Sequence, residues 1–222
     1  FKASKRSEIN PFYAMEMLKE ANEMESNGAN IMHLEVGEPS TGAPSKVIEE
    51  AKRIINDNIP VPYTNALGLV NLRESISKYY LNSKNLEVSP GNIVVTTGTS
   101  GGFVLALLAS FDVGDRVAIF VPGYPAYKNM LISLGLNPIE IYTNEENGFQ
   151  PTLTQIKNFK NLDGIIISSP SNPTGSMIKN SLLKEICEYC DEQGIRLLSD
   201  EIYHGITYEQ DALSIFNFSQ NG

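Results

Sequence analysis

Thr97-Gly98-Thr99-Ser100-Gly101-Gly102 places three hydroxyls and three glycines in six positions, after an apolar β-branched run and before a helix-period one. A strand-to-helix turn of this kind aims backbone N–H groups and hydroxyls at one spot, where the positive end of the helix dipole stabilises an anion. A phosphate suits it, although the same small residues also serve a plain tight turn. The segment lacks the G-x-G-x-x-G of dinucleotide sites and the lysine of nucleoside triphosphate loops. It does spell G-x-S-x-G at Gly98, Ser100 and Gly102, the pattern of a hydrolase nucleophile, and Asp200 and His204 follow in the chain order of a serine triad. Those two stand four residues apart on one segment, whereas a triad acid approaches the imidazole from a separate loop.

Two further segments carry chemistry. Ser169-Pro170-Ser171-Asn172-Pro173-Thr174-Gly175 follows the apolar run Gly164 to Ser168, and its prolines predict a rigid loop that holds Asn172 in place. Taken alone, Asn172 could equally satisfy its own turn. Ser199-Asp200-Glu201-Ile202-Tyr203 ends the next apolar run, one helix later, which is the length of a βαβ crossover. Ligands of open α/β sheets gather outside the carboxyl ends of the strands, so Asp200, Asn172 and the Gly98 turn are expected to converge on one crevice. A carboxylate at an apolar strand end is costly unless donors or a cation face it. Asp200 therefore calls for a positively charged partner, and a protonated pyridine nitrogen would serve.

The elements that must position these residues follow from periodicity. Helices are predicted over Pro11 to Asn27, Ser45 to Asn58, Gly68 to Tyr80, Phe103 to Phe111, Ala126 to Leu134, Leu153 to Phe159 and Ser181 to Gln193, the last closed by Gly194. Strands are predicted over Ile31 to Val36, Asn92 to Thr97, Arg116 to Val121, Asn137 to Tyr142, Gly164 to Ser168 and Ile195 to Ser199. Alternation of the two describes an α/β fold with a mostly parallel sheet between helical layers. Residues 1–42 are expected to form an arm or part of a small domain, and residues 43–222 a large domain.

Composition narrows the function classes. The 222 residues are 41% hydrophobic and 19% charged, with 17 Lys+Arg against 26 Asp+Glu and a formal net charge of -9, so no basic field draws in nucleic acid or an anionic membrane. The longest apolar stretch, Phe103 to Phe111, is far short of the roughly 20 residues that span a bilayer. The expectation is a soluble, cytoplasmic protein. Cys187 and Cys190 fall on the apolar face of their helix beside Leu183 and Ile186, which predicts core packing. His33 and His204 have no ligand-spaced cluster in the sequence, so no metal is expected. The five Arg and twelve Lys are scattered as on a solvated surface.

Together these segments resemble the class I/II aminotransferases of the fold type I pyridoxal-phosphate enzymes, over Leu34 to Tyr203 and in the family's order. Leu34-Glu35-Val36-Gly37-Glu38-Pro39 is similar to the loop whose glycine approaches the substrate carboxylate. Tyr63-Thr64 with Gly68 and Leu72-Arg73 resembles the segment whose tyrosine reaches the cofactor phosphate of the neighbouring subunit. Gly98, Thr99 and Ser100 match the phosphate cup. Within Pro122-Gly123-Tyr124-Pro125-Ala126-Tyr127, Tyr124 matches the aromatic residue stacked on the pyridine ring. Asn172 and Tyr203 match the donors to the phenolate oxygen, and Asp200 the carboxylate on the ring nitrogen. The resemblance implies pyridoxal 5'-phosphate as cofactor, an amino acid and a 2-oxo acid as substrates, contacts from Gly37, Tyr124 and Asn172 to them, and a homodimer. It also implies a lysine for the Schiff base beyond the Asp-x-x-Tyr, and a C-terminal domain, before either of which this chain stops at Gly222; no Lys follows Lys184. With its opening at Phe1, that predicts a piece of a longer enzyme. A β-eliminating lyase on the same anchors, a non-catalytic module holding the cofactor phosphate, and a hydrolase acting through Ser100 are the alternatives.

Overall fold

The computed structural model of the chain describes residues 1–208 and 210–222. Its contacts divide it into two compact units, one of Phe1–Ile9 with Leu67–Gly222 and one of Asn10–Ala66. The chain passes between the units at residues 9/10 and 66/67, and the expected boundary at 42/43 lies inside the smaller one.

The smaller unit holds α1 (Tyr13–Ser26) and α2 (Ser45–Asn56). The strand expected over Ile31 to Val36 does not form: the segment is irregular, and Met32 and Leu34 are exposed, so its alternation has no partner strand to satisfy. His33, expected to stand alone, lies between Glu25 (3.2 Å) and Glu35 (2.6 Å).

The larger unit runs α3 (Val70–Lys84), α4 (Thr99–Ser110), β1 (Arg116–Val121), α5 (Ala126–Ser133), β2 (Asn137–Tyr142), α6 (Leu153–Lys157), β3 (Gly164–Ser168), α7 (Asn180–Gln193) and β4 (Arg196–Asp200). The four strands form one parallel sheet in the order β2-β1-β3-β4, as the βα alternation predicts. Each strand points successive side chains to opposite faces. Ala118, Ile165 and Ile167 accordingly join Leu183, Ile186, Cys187 and Cys190 of α7 in one core, while Val117, Ile119 and Ile166 join Phe103 and Leu107 of α4 and Leu131 of α5 in the other. Helices therefore cover both faces, which gives three layers. Gly164 has no side chain where the Phe111 ring closes on β3. Gly194 ends α7 in the left-handed conformation, as expected.

Two expectations fail here. Asn92 to Thr97 is not a strand: residues 90–92 form a 3-10 turn, and of the extended residues after it Val95 donates its N–H to Leu67 O at 3.0 Å, with no ladder alongside among the described residues. Arg73 is not surface: it is 7% exposed, and its guanidinium donates to Pro90 O at 2.7 Å and Gly68 O at 3.4 Å. Main-chain carbonyls satisfy the buried guanidinium, and the bonds tie α3 to the turn that leads into the Gly98 segment. No described helix is long and apolar enough to cross a membrane.

Candidate active site

Beyond β1 the chain moves to β2 on one side and returns through β3 on the other, so the switch point lies outside the carboxyl ends of β1 and β3. Ser168 and Asp200 are register partners on β3 and β4, so the two strand ends are neighbours as expected. A cavity of about 360 Å³ opens there. Gly98, Thr99, Ser100, Tyr124, Asn172, Asp200 and Tyr203 all line it, so residues of four separate segments meet at one place. Gly37 and Tyr63 belong to the smaller unit, where both are exposed.

Gly98 forms the turn into α4 with φ 83° and ψ 169°, a region essentially reserved for glycine. Thr96 Oγ1 donates to Gly98 O at 2.9 Å and steadies the turn. The first backbone N–H to return to the helix is that of Gly102, which bonds Gly98 O at 3.2 Å. The N–H groups of Thr99 and Ser100, in the first turn, are thus oriented along the helix axis toward solvent without intrahelical acceptors. This is an anion site by construction. The Asn172 loop is braced in turn: Ser171 N–H bonds Ser176 O at 2.9 Å, and the amide of buried Gln150 donates to Ser176 O at 2.7 Å. Gln150 is a second support that the sequence did not signal.

Asp200 is 7% exposed. The cation expected for it is a ligand's pyridine nitrogen; within the chain, neutral donors face it. Tyr127 OH donates to Oδ2 at 2.5 Å and the Ile202 N–H to Oδ1 at 3.1 Å. Two neutral donors satisfy both carboxylate oxygens. Burial first, then the bond to Asp200, push the Tyr127 phenol far above its ordinary range, with a hydrogen bond from Ser168 opposing. It stays a donor throughout the working pH range. The Tyr127 ring packs on Phe103 at 5.1 Å and on Tyr124 at 5.4 Å, the latter edge to face, so one residue holds both the carboxylate and the aromatic wall. In the sequence Tyr127 is the last residue of the Pro122 to Tyr127 segment, with no role of its own legible there. A tyrosine three residues after Tyr124 at a helix start, buried and needing an acceptor, was the available signal.

The hydrolase alternative fails on this geometry. His204 Nε2 faces Ser169 O at 3.1 Å and its Nδ1 faces Glu201 at 3.6 Å, while Asp200 is taken by Tyr127. Neither imidazole nitrogen serves Ser100. Burial lowers the His204 pKa, Lys84 adds to that, and Glu201 together with Ser169 O opposes it. Cys187 and Cys190 are free thiols buried in the α7 core. The described residues contain no cluster of three His, Cys, Asp or Glu able to hold a metal.

Residues 29–221 match the family model of aminotransferase class I and II. The chain belongs to that family. Among class I and II aminotransferases it is 40% identical over 205 residues to a valine–pyruvate aminotransferase of Mycobacterium tuberculosis, a match covering 92% of this chain and 53% of that one. It superposes on the crystal structure of an aminotransferase from the same organism with a TM-score of 0.94 at 38% identity, covering 100% of this chain and 58% of that one. It also superposes on Thermus thermophilus aspartate aminotransferase with maleate at a TM-score of 0.90 and 27% identity, covering 97% and 57%. The chain thus spans about half the length of the curated relatives it matches. The aminotransferase fold, with its parallel sheet and two helical layers, is the one expected from the sequence.

The cavity fits the pyridoxal phosphate that aminotransferases of this type use. Its volume lies in the range of small-molecule sites, about 300–1,000 Å³. It is lined by helix N–H groups and hydroxyls and by a buried carboxylate, and no Lys or Arg lies among its described lining residues. A ligand that is anionic at one end and carries a cationic N–H at the other matches both.

Proposed function

We propose that the protein to which this chain belongs is a pyridoxal-phosphate-dependent aminotransferase that moves an amino group between an amino acid and a 2-oxo acid. The observation that carries the reading is one cavity lined by the Gly98–Ser100 anion turn, the buried Asp200 with only neutral donors on it, Tyr124 and Asn172. When bound, the cofactor supplies an electron-accepting ring that lets an amino acid's α-proton leave. The residues of this chain do the rest. Thr99 and Ser100 hold the phosphate with backbone N–H groups and hydroxyls. Tyr124 covers one face of the ring and excludes water from it. Asp200 keeps a proton on the ring nitrogen, and Asn172 and Tyr203 donate to the ring oxygen. We assign Gly37 to the substrate carboxylate and Tyr63 to the cofactor phosphate of a partner subunit, in a homodimer. The proton-moving lysine is assigned to the half of the relatives' length that this chain does not span.

Valine and pyruvate are the pair to assay first, because the relative at 40% identity bears that name. The test uses the full-length protein. Borohydride should fix one pyridoxyl-phosphate adduct per subunit, and turnover should yield an oxo acid without ammonia. Ammonia release would instead mark an eliminating lyase. A protein that takes up no cofactor would overturn the reading.

A further inference from the structure

We infer that the Tyr127 hydroxyl is a positioning group for Asp200: it fixes the direction of the carboxylate in the cavity with a neutral donor that adds no opposing charge, so that Asp200 can face a protonated ring nitrogen. The inference deepens the proposed function and rests on it.

Three observations carry it. First, the bond is short and buried: 2.5 Å between the phenol and Oδ2, joining α5 to the end of β4 across 73 residues of sequence, with Tyr127 6% and Asp200 7% exposed. The other oxygen is fixed by Ile202 N–H, so both oxygens have a direction imposed on them. Second, the donor is neutral. Lys or Arg in its place would leave a pair of zero net charge, whereas a phenol leaves the full negative charge in the cavity. The ionisable groups around Asp200 are Tyr124 and Tyr127 beyond β1, Glu201, Tyr203 and His204 in its own turn, and Tyr80 on α3. None of these is a fixed cation, and burial disfavours the charged form of His204; Lys84 on α3, which also acts on His204, donates its Nζ to Ala212 O at 3.1 Å and is not among the donors to Asp200. A cation that satisfies Asp200 must therefore come from the ligand. Third, the hydroxyl is separable from the ring. The contacts of Tyr127 with Phe103 and Tyr124 are made by the ring and survive a change to Phe. Removing the hydroxyl leaves Oδ2 without its donor, which raises the proton affinity of Asp200 and lets it take the proton from a ring nitrogen.

The test is binding, independent of turnover. Full-length apoprotein is titrated calorimetrically with 4-deoxypyridoxine 5'-phosphate, which has a methyl group in place of the aldehyde and cannot bond covalently to a lysine. The affinity is followed between about pH 5 and pH 9; the ligand's own ionisations are common to all variants and cancel in the comparison. Tyr127→Phe should weaken binding at neutral pH by roughly 3- to 30-fold and move the acid limb upward by about half a unit to one unit. In an Asp200→Asn background the same substitution should change the affinity by less than about 2-fold. Ser100→Ala should weaken binding without moving the limb. A Tyr127→Phe profile that superposes on the wild type would overturn the positioning role and leave the proposed function standing. An equal loss in the Asp200→Asn background would overturn it too, since Tyr127 would then act by packing. Failure of the wild type to bind would overturn the cofactor reading, and the positioning role with it.

Discussion

Replacing Gly98 with Ala should separate the conformation of the anion turn from its chemistry. The space where a Cβ would stand is empty, so the substitution introduces no clash. What it introduces is backbone strain, because φ 83° with ψ 169° is a region that side-chain-bearing residues avoid at a cost of about 1–3 kcal/mol. Alanine also narrows the unfolded ensemble, which offsets about 0.4–1 kcal/mol. Roughly 0.5–2 kcal/mol remains, and it must appear between the unfolded protein and the ligand-bound turn, whatever the free protein does. If the free turn keeps its shape, the loss appears as a lower unfolding midpoint, by roughly 2–4 °C per kcal/mol for a domain of this size. If the free turn relaxes, the midpoint holds and affinity for a phosphorylated ligand falls, by about 2- to 30-fold. Thermal unfolding of the full-length apoprotein and calorimetric titration with 4-deoxypyridoxine 5'-phosphate read the two parts. A Gly98→Ala protein unchanged in both would show that the turn does not need its glycine, and the phosphate cup would lose its structural basis.

Other sites answer to simpler measurements. Burial, the largest cause in each, pushes the Cys187 and Cys190 thiols up to about 11 and about 12, so their thiolate fraction near pH 8 is on the order of one in a thousand or less. Alkylation mapped by peptide mass should reach them only after unfolding, and rapid labelling of the native protein would contradict the buried-core assignment. His204 has a depressed pKa, so protonation favours the unfolded chain; the stability it contributes is complete above about pH 6.5 and is lost as pH falls through the folded value. His204→Gln should flatten the acid side of a plot of unfolding midpoint against pH, and an unaltered slope would assign that sensitivity elsewhere. Tyr63→Phe should weaken cofactor retention modestly in the dimer, and an unchanged dissociation constant in a protein shown to be dimeric would remove Tyr63 from the partner's site.

The strands β1 to β4 were legible to within a residue; β1 and β3, central in the sheet, are almost wholly apolar and β-branched, as strands covered on both faces must be, whereas the edge strands β2 and β4 mix polar residues with a shorter apolar run. The helix α4 was legible only in part. Its expected start at Phe103 followed the apolar period, whereas the observed start at Thr99 is set by small residues with no period of their own. Asn92 to Thr97 and Ile31 to Val36 have strand composition and no ladder, since pairing is a property of two segments and composition of one. Arg73 shows the same limit from the polar side. The carbonyls of Gly68 and Pro90 that satisfy it are main-chain groups, invisible in any pattern of side-chain types.

Asp200 shows how a need legible in the sequence is met inside the chain. A carboxylate at the end of an apolar strand requires compensation, and the sequence could say so. Two kinds of compensation exist, and they have opposite consequences for a ligand. A lysine or arginine partner would complete the charge within the chain, and the cavity would present a neutral pair. The hydroxyl of Tyr127 and the N–H of Ile202 satisfy the oxygens as acceptors while leaving the charge unbalanced. The chain thereby builds a deficit that a cationic ligand would close, and it builds it in the same cavity as a helix N-terminus suited to an anion. Selection for a molecule with a phosphate at one end and a protonated nitrogen at the other follows from those two features. It does not depend on any single motif, and for that reason the neutral donor says more about what the cavity takes than a salt bridge would have.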